Sequence, residues 1–173
     1  EGTNGIQAMD FLGRKLGLRK GAVCMVLLEE MGKSVRRAKE LSHMSDIATR
    51  FEAVMGQWAE TAKQITSTAF SPKFEVGFAY AKPFLDVTGD VCMAWMHLWR
   101  ATVAENQLER LVGGTAPGAR KEQAAQSKEI AFYIGVIQTA EFFIRTILPI
   151  TAGKMEAIST FDPAVVELAE ASF

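Results

Sequence analysis

The sequence predicts an all-α protein, an antiparallel up-down four-helix bundle with short flanking helices at both ends. Three observations carry this. Apolar residues recur every three or four positions over long segments, and no segment alternates apolar and polar as a half-buried strand does. Glycine, proline and polar clusters divide those segments at short connections, which make consecutive helices antiparallel neighbours. No repeat with a period of about 20 to 50 residues is evident, so a solenoid is not indicated. At 173 residues the chain can enclose one sizeable core and is short for two.

Taken in order, Ile6, Met9, Leu12 and Leu16 space an opening helix that Gly17 stops. Gly21 marks the next start, and residues 19–42 carry the stripe Val23, Val26, Leu27, Met31, Val35, Ala38 and Leu41. His43-Met44-Ser45-Asp46 is a break, with Ser45 or Asp46 as the next cap. Ile47, Phe51, Val54, Trp58, Thr61/Ala62, Ile65 and Ala69 then form the cleanest helical seam. Ser71-Pro72 ends it and opens a third helix over residues 73–112, where Pro83 predicts a kink near 79–83. The run Gly113 to Gly118 is the clearest loop. A fourth long helix is expected from Arg120 to Ile158, bent by Pro149. Phe161-Asp162-Pro163 ends it and starts a terminal helix, Ala164–Ala171, with Asp162 as N-cap.

Composition bounds the function. The chain has 19 basic and 20 acidic residues, a net charge of −1, and no dense Lys/Arg cluster, so nucleic acid is not an expected partner. A hydrophobic fraction of 49% excludes disorder. The longest apolar runs, near Ala22–Leu28 and Ile130–Ile137, are short and flanked by charge, so no transmembrane segment is expected. No signal peptide is visible and residue 1 opens inside a motif, so a cytoplasmic chain whose natural start lies upstream or has been removed is expected. Cys24 and Cys92 lie far apart within apolar patterns and read as buried thiols, not a disulfide.

The segment Glu1-Gly2-Thr3-Asn4-Gly5-Ile6-Gln7 is the most informative in the chain. Thr3 or Asn4 can cap the helix through its side-chain oxygen, with Gln7 at capping-box distance from Asn4. Glycines at 2 and 5 let the backbone turn and a ligand come close. The amide groups at such a helix mouth favour an anion. On spacing alone, an ordinary capped helix behind a solvated glutamate is an adequate account.

The segment closely resembles the Glu-Gly-Thr-x-x-Ile-Gln motif near the C-terminal end of the acyl-CoA dehydrogenase catalytic core. The stretch Val91 to Ala101 is similar to a helix in the C-terminal extension of one subgroup of that family, which includes 3-methylmercaptopropionyl-CoA dehydrogenase-like enzymes. Residues Lys128 to Ala157 resemble that extension's last long helix. The resemblance implies two parts: residues 1–18 ending the catalytic core and residues 19–173 forming a helical extension. It implies that Glu1 is the catalytic base, that Gly2 sits against the substrate, and that Thr3 and Asn4 contact FAD. Gly5 holds the next cofactor-contacting position, where the family commonly has Gln, so an amide contact is lost or supplied elsewhere. It also implies an acyl-CoA substrate, electron-transferring flavoprotein as acceptor, and a homodimer whose subunits pack the extension on their own catalytic core. The isolated chain is expected to be inactive.

Other constellations carry less. Glu40-x-x-His43 is half of a di-iron motif, but His97 follows Ala94 at that offset, so no metal site is expected. Trp58, Trp95, Trp99, Met93 and Met96 read as core residues. The run Arg36-Arg37-Ala38-Lys39 reads as a solvated face, and no phosphate loop or nucleophile triad is present. The alternative to an enzyme fragment is a free-standing helical-bundle interaction module, for which Glu1–Gln7 is only a cap.

Overall fold

The computed structural model describes residues 2–113, 117–169 and 171. The described residues are 86% helical and contain no strand. The helices are α1 (Asn4–Asp10), α2 (Ala22–Lys39), α3 (Ser45–Ala69), α4 (Phe74–Ala79), α5 (Ala81–Val112), α6 (Pro117–Ala124), α7 (Lys128–Phe142), α8 (Leu148–Ile158) and α9 (Ala164–Glu167). The all-α expectation holds.

The chain divides into two compact units, Glu1–Glu30 with Val54–Val91 and Ile150–Phe173, and Met31–Ala53 with Cys92–Pro149. In the first unit Trp58 is 1% exposed and stacks on Phe84 at a centroid distance of 6.3 Å. Its indole N–H donates to Thr88 Oγ1 at 2.9 Å, so the ring is buried without an orphaned donor. Phe11 stacks on the same Phe84 at 5.9 Å, fixing the opening segment against α5. A Cβ added at Gly77 would stand 2.6 Å from the Ala69 backbone nitrogen, so only glycine lets α4 approach the end of α3 this closely. Thr151 donates to Asp90 at 2.9 Å and Gln57 to the Ala152 carbonyl at 2.9 Å.

In the second unit Met31, Val35, Ala38, Met44, Phe51, Ala94, Leu98, Ala101, Leu108, Ala140 and Ile144 are buried. Trp95 donates its indole N–H to Ser34 Oγ at 2.8 Å. His97 packs on Phe143 with ring centroids 4.9 Å apart. Arg145 reaches both Asp46 at 3.2 Å and Glu141 at 3.6 Å.

Several boundaries differ from expectation, each for a local reason. Arg19 and Lys20 adopt left-handed φ values of 51° and 59°, and Gly21 follows at 82°, so the break after the opening segment is sharper than Gly17 alone implies. The third helix is split at Tyr80, which places Pro83 in the first turn of α5, where its missing N–H costs little. The expected fourth helix is also two. Ser127 leaves helical geometry and its side chain caps α7 by accepting from the Ile130 amide, which ends α6 at Ala124. Pro149 produces a π-helical turn, Phe143–Ile147, in place of a simple bend; the wider i→i+5 turn accommodates a residue with no amide hydrogen. The terminal helix covers only Ala164–Glu167, although Asp162 accepts from the Ala164 amide at 2.9 Å as a cap should. Residues 114–116 of the expected loop lie outside the described residues.

Burial brings further corrections. Val23, Met25 and Val26 at the start of α2 are exposed, as are Met93 and Trp99, so the last two are not core residues. The stretch Lys128–Ile158 has 31 helical residues and is long and apolar enough to cross a bilayer by length and composition, contrary to the expectation. Its scattered charges hid this from a search for an unbroken apolar run. Only 11% of its apolar window is buried. Cys24 and Cys92 are free and half-buried, as expected of thiols outside a disulfide, and burial raises both thiol pKa values.

Candidate functional site

The segment from Asn4 to Lys15 is built as one helix that widens at its end. Ala8, Leu12 and Leu16 recur every four residues and are buried, which sets the face this segment turns inward. Phe11–Lys15 forms a π-helical turn, closed by the Leu16 amide donating to the Phe11 carbonyl at 3.0 Å. A Cβ at Gly13 would meet the Phe78 ring at 3.4 Å. Asp10 accepts from Arg14 at 2.6 Å and faces Lys15 at 3.3 Å. The Arg14 hydrogen bond holds the Asp10 carboxyl below its usual range.

Of the sequence-derived site residues, Glu1 lies outside the described residues. Gly2, Thr3, Asn4 and Gly5 follow one another at the exposed start of α1. Thr3 occupies the N-cap, but its backbone is already right-handed at φ −102°, ψ −14°, and its side chain makes no cap hydrogen bond. Asn4 is the first helical residue, so neither the side-chain cap nor the capping box with Gln7 is formed. The Gln7 amide instead bonds the Thr3 carbonyl at 2.9 Å. No described atom stands within 4 Å of where a Cβ would lie at Gly2 or Gly5. Nothing in the described chain therefore explains glycine at either position.

Two cavities lie within the second unit. One, of about 410 Å³, is lined by Met96, Trp99, Val103, Phe132, Tyr133 and Val136, with Arg100 at its edge. The other, of about 240 Å³, has His43, Glu105, Arg120, Gln138 and Glu141 around an apolar wall. Glu105 is 1% exposed, and its Oε2 accepts from Arg120 Nη1 at 2.8 Å. Sequence reasoning missed this pair. The available signal was Glu105 itself, standing in register with Leu98, Ala101 and Leu108 on an otherwise apolar stripe. His43 is exposed on a single 3₁₀ turn, Ser42–Met44, and no three His, Cys, Asp or Glu side chains converge for a metal among the described residues. Burial and then the Arg100 charge lower the His97 pKa below the usual histidine value.

A model of the family described as acetyl-CoA dehydrogenase C-terminal like matches residues 27–169. The chain belongs to that family. Its relatives include the broad-specificity linear acyl-CoA dehydrogenase FadE5 of Mycobacterium tuberculosis, 27% identical over 184 positions that cover all of this chain and 27% of that protein. The butyryl-CoA dehydrogenase of Syntrophomonas wolfei is 23% identical over 179 positions, covering 98% of this chain and 26% of that protein. The chain thus spans about a quarter of the length of these curated relatives. It is a C-terminal domain of acyl-CoA dehydrogenase type, and the family match begins within α2, downstream of the Glu1–Gln7 segment.

Proposed function

We propose that this chain completes an FAD-dependent acyl-CoA dehydrogenase, with residues 1–18 ending the catalytic core and residues 19–173 forming a helical domain that packs on that core and favours a dimer. The observation that carries the packing role is the unburied apolar surface. Trp99, Val103, Phe132 and Phe142 are all exposed within the second unit of a chain of balanced charge. A surface of this kind is stabilised by a protein partner, and the family supplies one in its catalytic core. Gln138, Glu141 and Arg145 interrupt the most apolar helical stretch, which favours a protein neighbour over lipid.

For the catalytic role, support comes from the motif and from the open space at Gly2 and Gly5, with Thr3 and Asn4 exposed beside them. Those positions fit close approach by a large cofactor and thioester. Glu1 would take the α-proton of the acyl thioester, and a desolvated carboxylate does this better than a hydrated one. Bound FAD supplies the acceptor for the β-hydrogen, which leaves as hydride, giving the 2,3-enoyl-CoA. Gly2 would keep the substrate close, and Thr3 and Asn4 would orient the cofactor. Electron-transferring flavoprotein would be the protein partner that takes up the electrons. The 173-residue chain, about a quarter of the length of its relatives, should be inactive by itself.

The test uses protein from the complete reading frame. Its flavin spectrum is recorded before and after butyryl-CoA and longer linear acyl-CoA thioesters, the classes for which the relatives are named. Bleaching that disappears in Glu1→Gln is expected. A colourless protein, or bleaching that persists in the variant, would sink the catalytic assignment.

A further inference from the structure

We propose that residues 18–28 form a strap that opens locally in this chain and orders against the catalytic core, an inference that rests on the dehydrogenase reading. The strap begins at a strained joint. Arg19 (φ 51°, ψ 42°), Lys20 (φ 59°, ψ 37°) and Gly21 (φ 82°) are left-handed in succession. Glycine adopts this region freely, but a Cβ there crowds the following carbonyl, so Arg19 and Lys20 each raise the energy of the folded turn. Such outliers persist only where neighbouring structure holds them, and they collect at segments that switch.

Here the neighbouring structure anchors the two ends of the stretch and nothing between them. Before the joint, Leu12 and Leu16 are buried and Phe11 stacks on Phe84. After it, none of residues 17–30 is buried, and the buried face of α2 starts at Met31. The residues between are nonetheless apolar, with Leu18, Val23, Met25 and Val26 all exposed. A helical segment with strain at its start and no buried side chain opens far more easily than a packed one. Val23 and Val26 add to this, because β-branched residues lower helix propensity.

The surroundings of the strap select its partner. Its exposed apolar residues are preceded by Ile6 and Met9, also exposed, on the segment that ends the catalytic core in the proposed function. A strap that leaves the core directly meets that core at high effective concentration. Arg19 and Lys20 are exposed and make no ion pair among the described residues, which fits an apolar seat bordered by carboxylates. Covering Leu18, Val23, Met25 and Val26 there supplies the burial that the strap lacks alone.

The experiment is hydrogen exchange read by mass spectrometry, on the 173-residue chain and on protein from the complete reading frame. In the chain alone, amides of residues 22–28 should exchange at least about a hundredfold faster than those around Trp58. Lys20→Gly should slow them about fivefold, the relief of strain less the freedom that glycine adds to the open state. Gly21→Ala should speed them by a similar factor. Helix propensity alone gives both variants the opposite sign, so reversed signs, or strap amides as slow as those of α3, overturn the strained strap. In the complete protein the same amides should slow at least about tenfold, and Val26→Asp should remove that slowing. Flavin that bleaches with acyl-CoA while the strap stays unprotected overturns the docking and leaves the dehydrogenase reading standing. A colourless protein overturns that reading and the proposed partner with it.

Discussion

Helix α3 and the α7–α8 stretch are both rich in apolar residues, yet they use them differently. In α3 the residues Ile47, Phe51, Trp58, Ala62, Ile65 and Ala69 of the predicted stripe are buried and its Val54 is half-buried. In α7 and α8 apolar residues occur all round the helix. Ala140, Ile144, Leu148, Met155 and Ile158 form the buried stripe, and Phe132, at 62% exposure, belongs to the remainder with Phe142 and Ile150. A helix can turn only one face toward its own chain. Spacing therefore predicts burial where apolar residues are confined to that face, and the excess elsewhere calls for another surface.

The largest expected break in this comparison is at Trp58. Trp58→Ala removes a buried ring, its stack on Phe84 and the Thr88 hydrogen bond, and should cost about 3–5 kcal/mol in urea denaturation. A cost near that of an exposed residue would mean that α3 is not the better packed region. Next is Gly77→Ala in α4, where it meets the end of α3. The new methyl would lie 2.6 Å from backbone, and overpacking of about 1–3 kcal/mol is expected in the same assay.

Phe132→Ser should change the stability of the chain by less than about 0.5 kcal/mol, as surface substitutions do. In the full-length protein it should shift the mass measured by light scattering toward smaller species; an unchanged mass would remove Phe132 from any assembly surface. A finer probe lies at the π-helical turn after α7, where His97 packs on Phe143. Its native-state pKa is lowered, chiefly by burial, so it contributes stability that is complete above the unfolded-state histidine value and lost as pH falls through the lower native one. Arg100→Ala should raise its NMR titration midpoint, and a fall would show that the neighbouring charge is not acting as supposed.

The smallest effect is expected from Asp46→Asn, which removes an exposed carboxylate joining Arg50 on α3 and Arg145 after α7. The Arg50 hydrogen bond, then its charge and that of Arg145, lower the Asp46 pKa. Any contribution is therefore present above the unfolded carboxylate value and disappears as pH falls through the native one. Acid-denaturation curves of the two proteins should separate only in that acidic window.

Much of this was legible beforehand. Ser45, Asp162 and the seam from Ile47 to Ala69 foretold the start of α3, the cap of α9 and the best-buried helix, because those signals are local. The break at Ser127 was missed because a serine inside a polar run looks the same in a helix as at its cap. The exposure of Val23, Val26 and Trp99 was missed because spacing states which residues share a face and not which neighbour that face meets. In the candidate site, the motif drew attention to Gly2–Gly5, but the empty surroundings of those glycines are a tertiary fact.

By itself the sequence determined the helical class, most helix starts and the resemblance that the family match bears out, since these depend on periodicity, capping chemistry and residue identity along the chain. The tertiary structure decided which apolar faces were buried, how closely α4 approaches Ala69, and that Glu105 meets Arg120 within a cavity. Those outcomes depend on atoms brought together from distant positions, where a half-ångström of space or a single missing donor changes the energy. No local pattern encodes such distances.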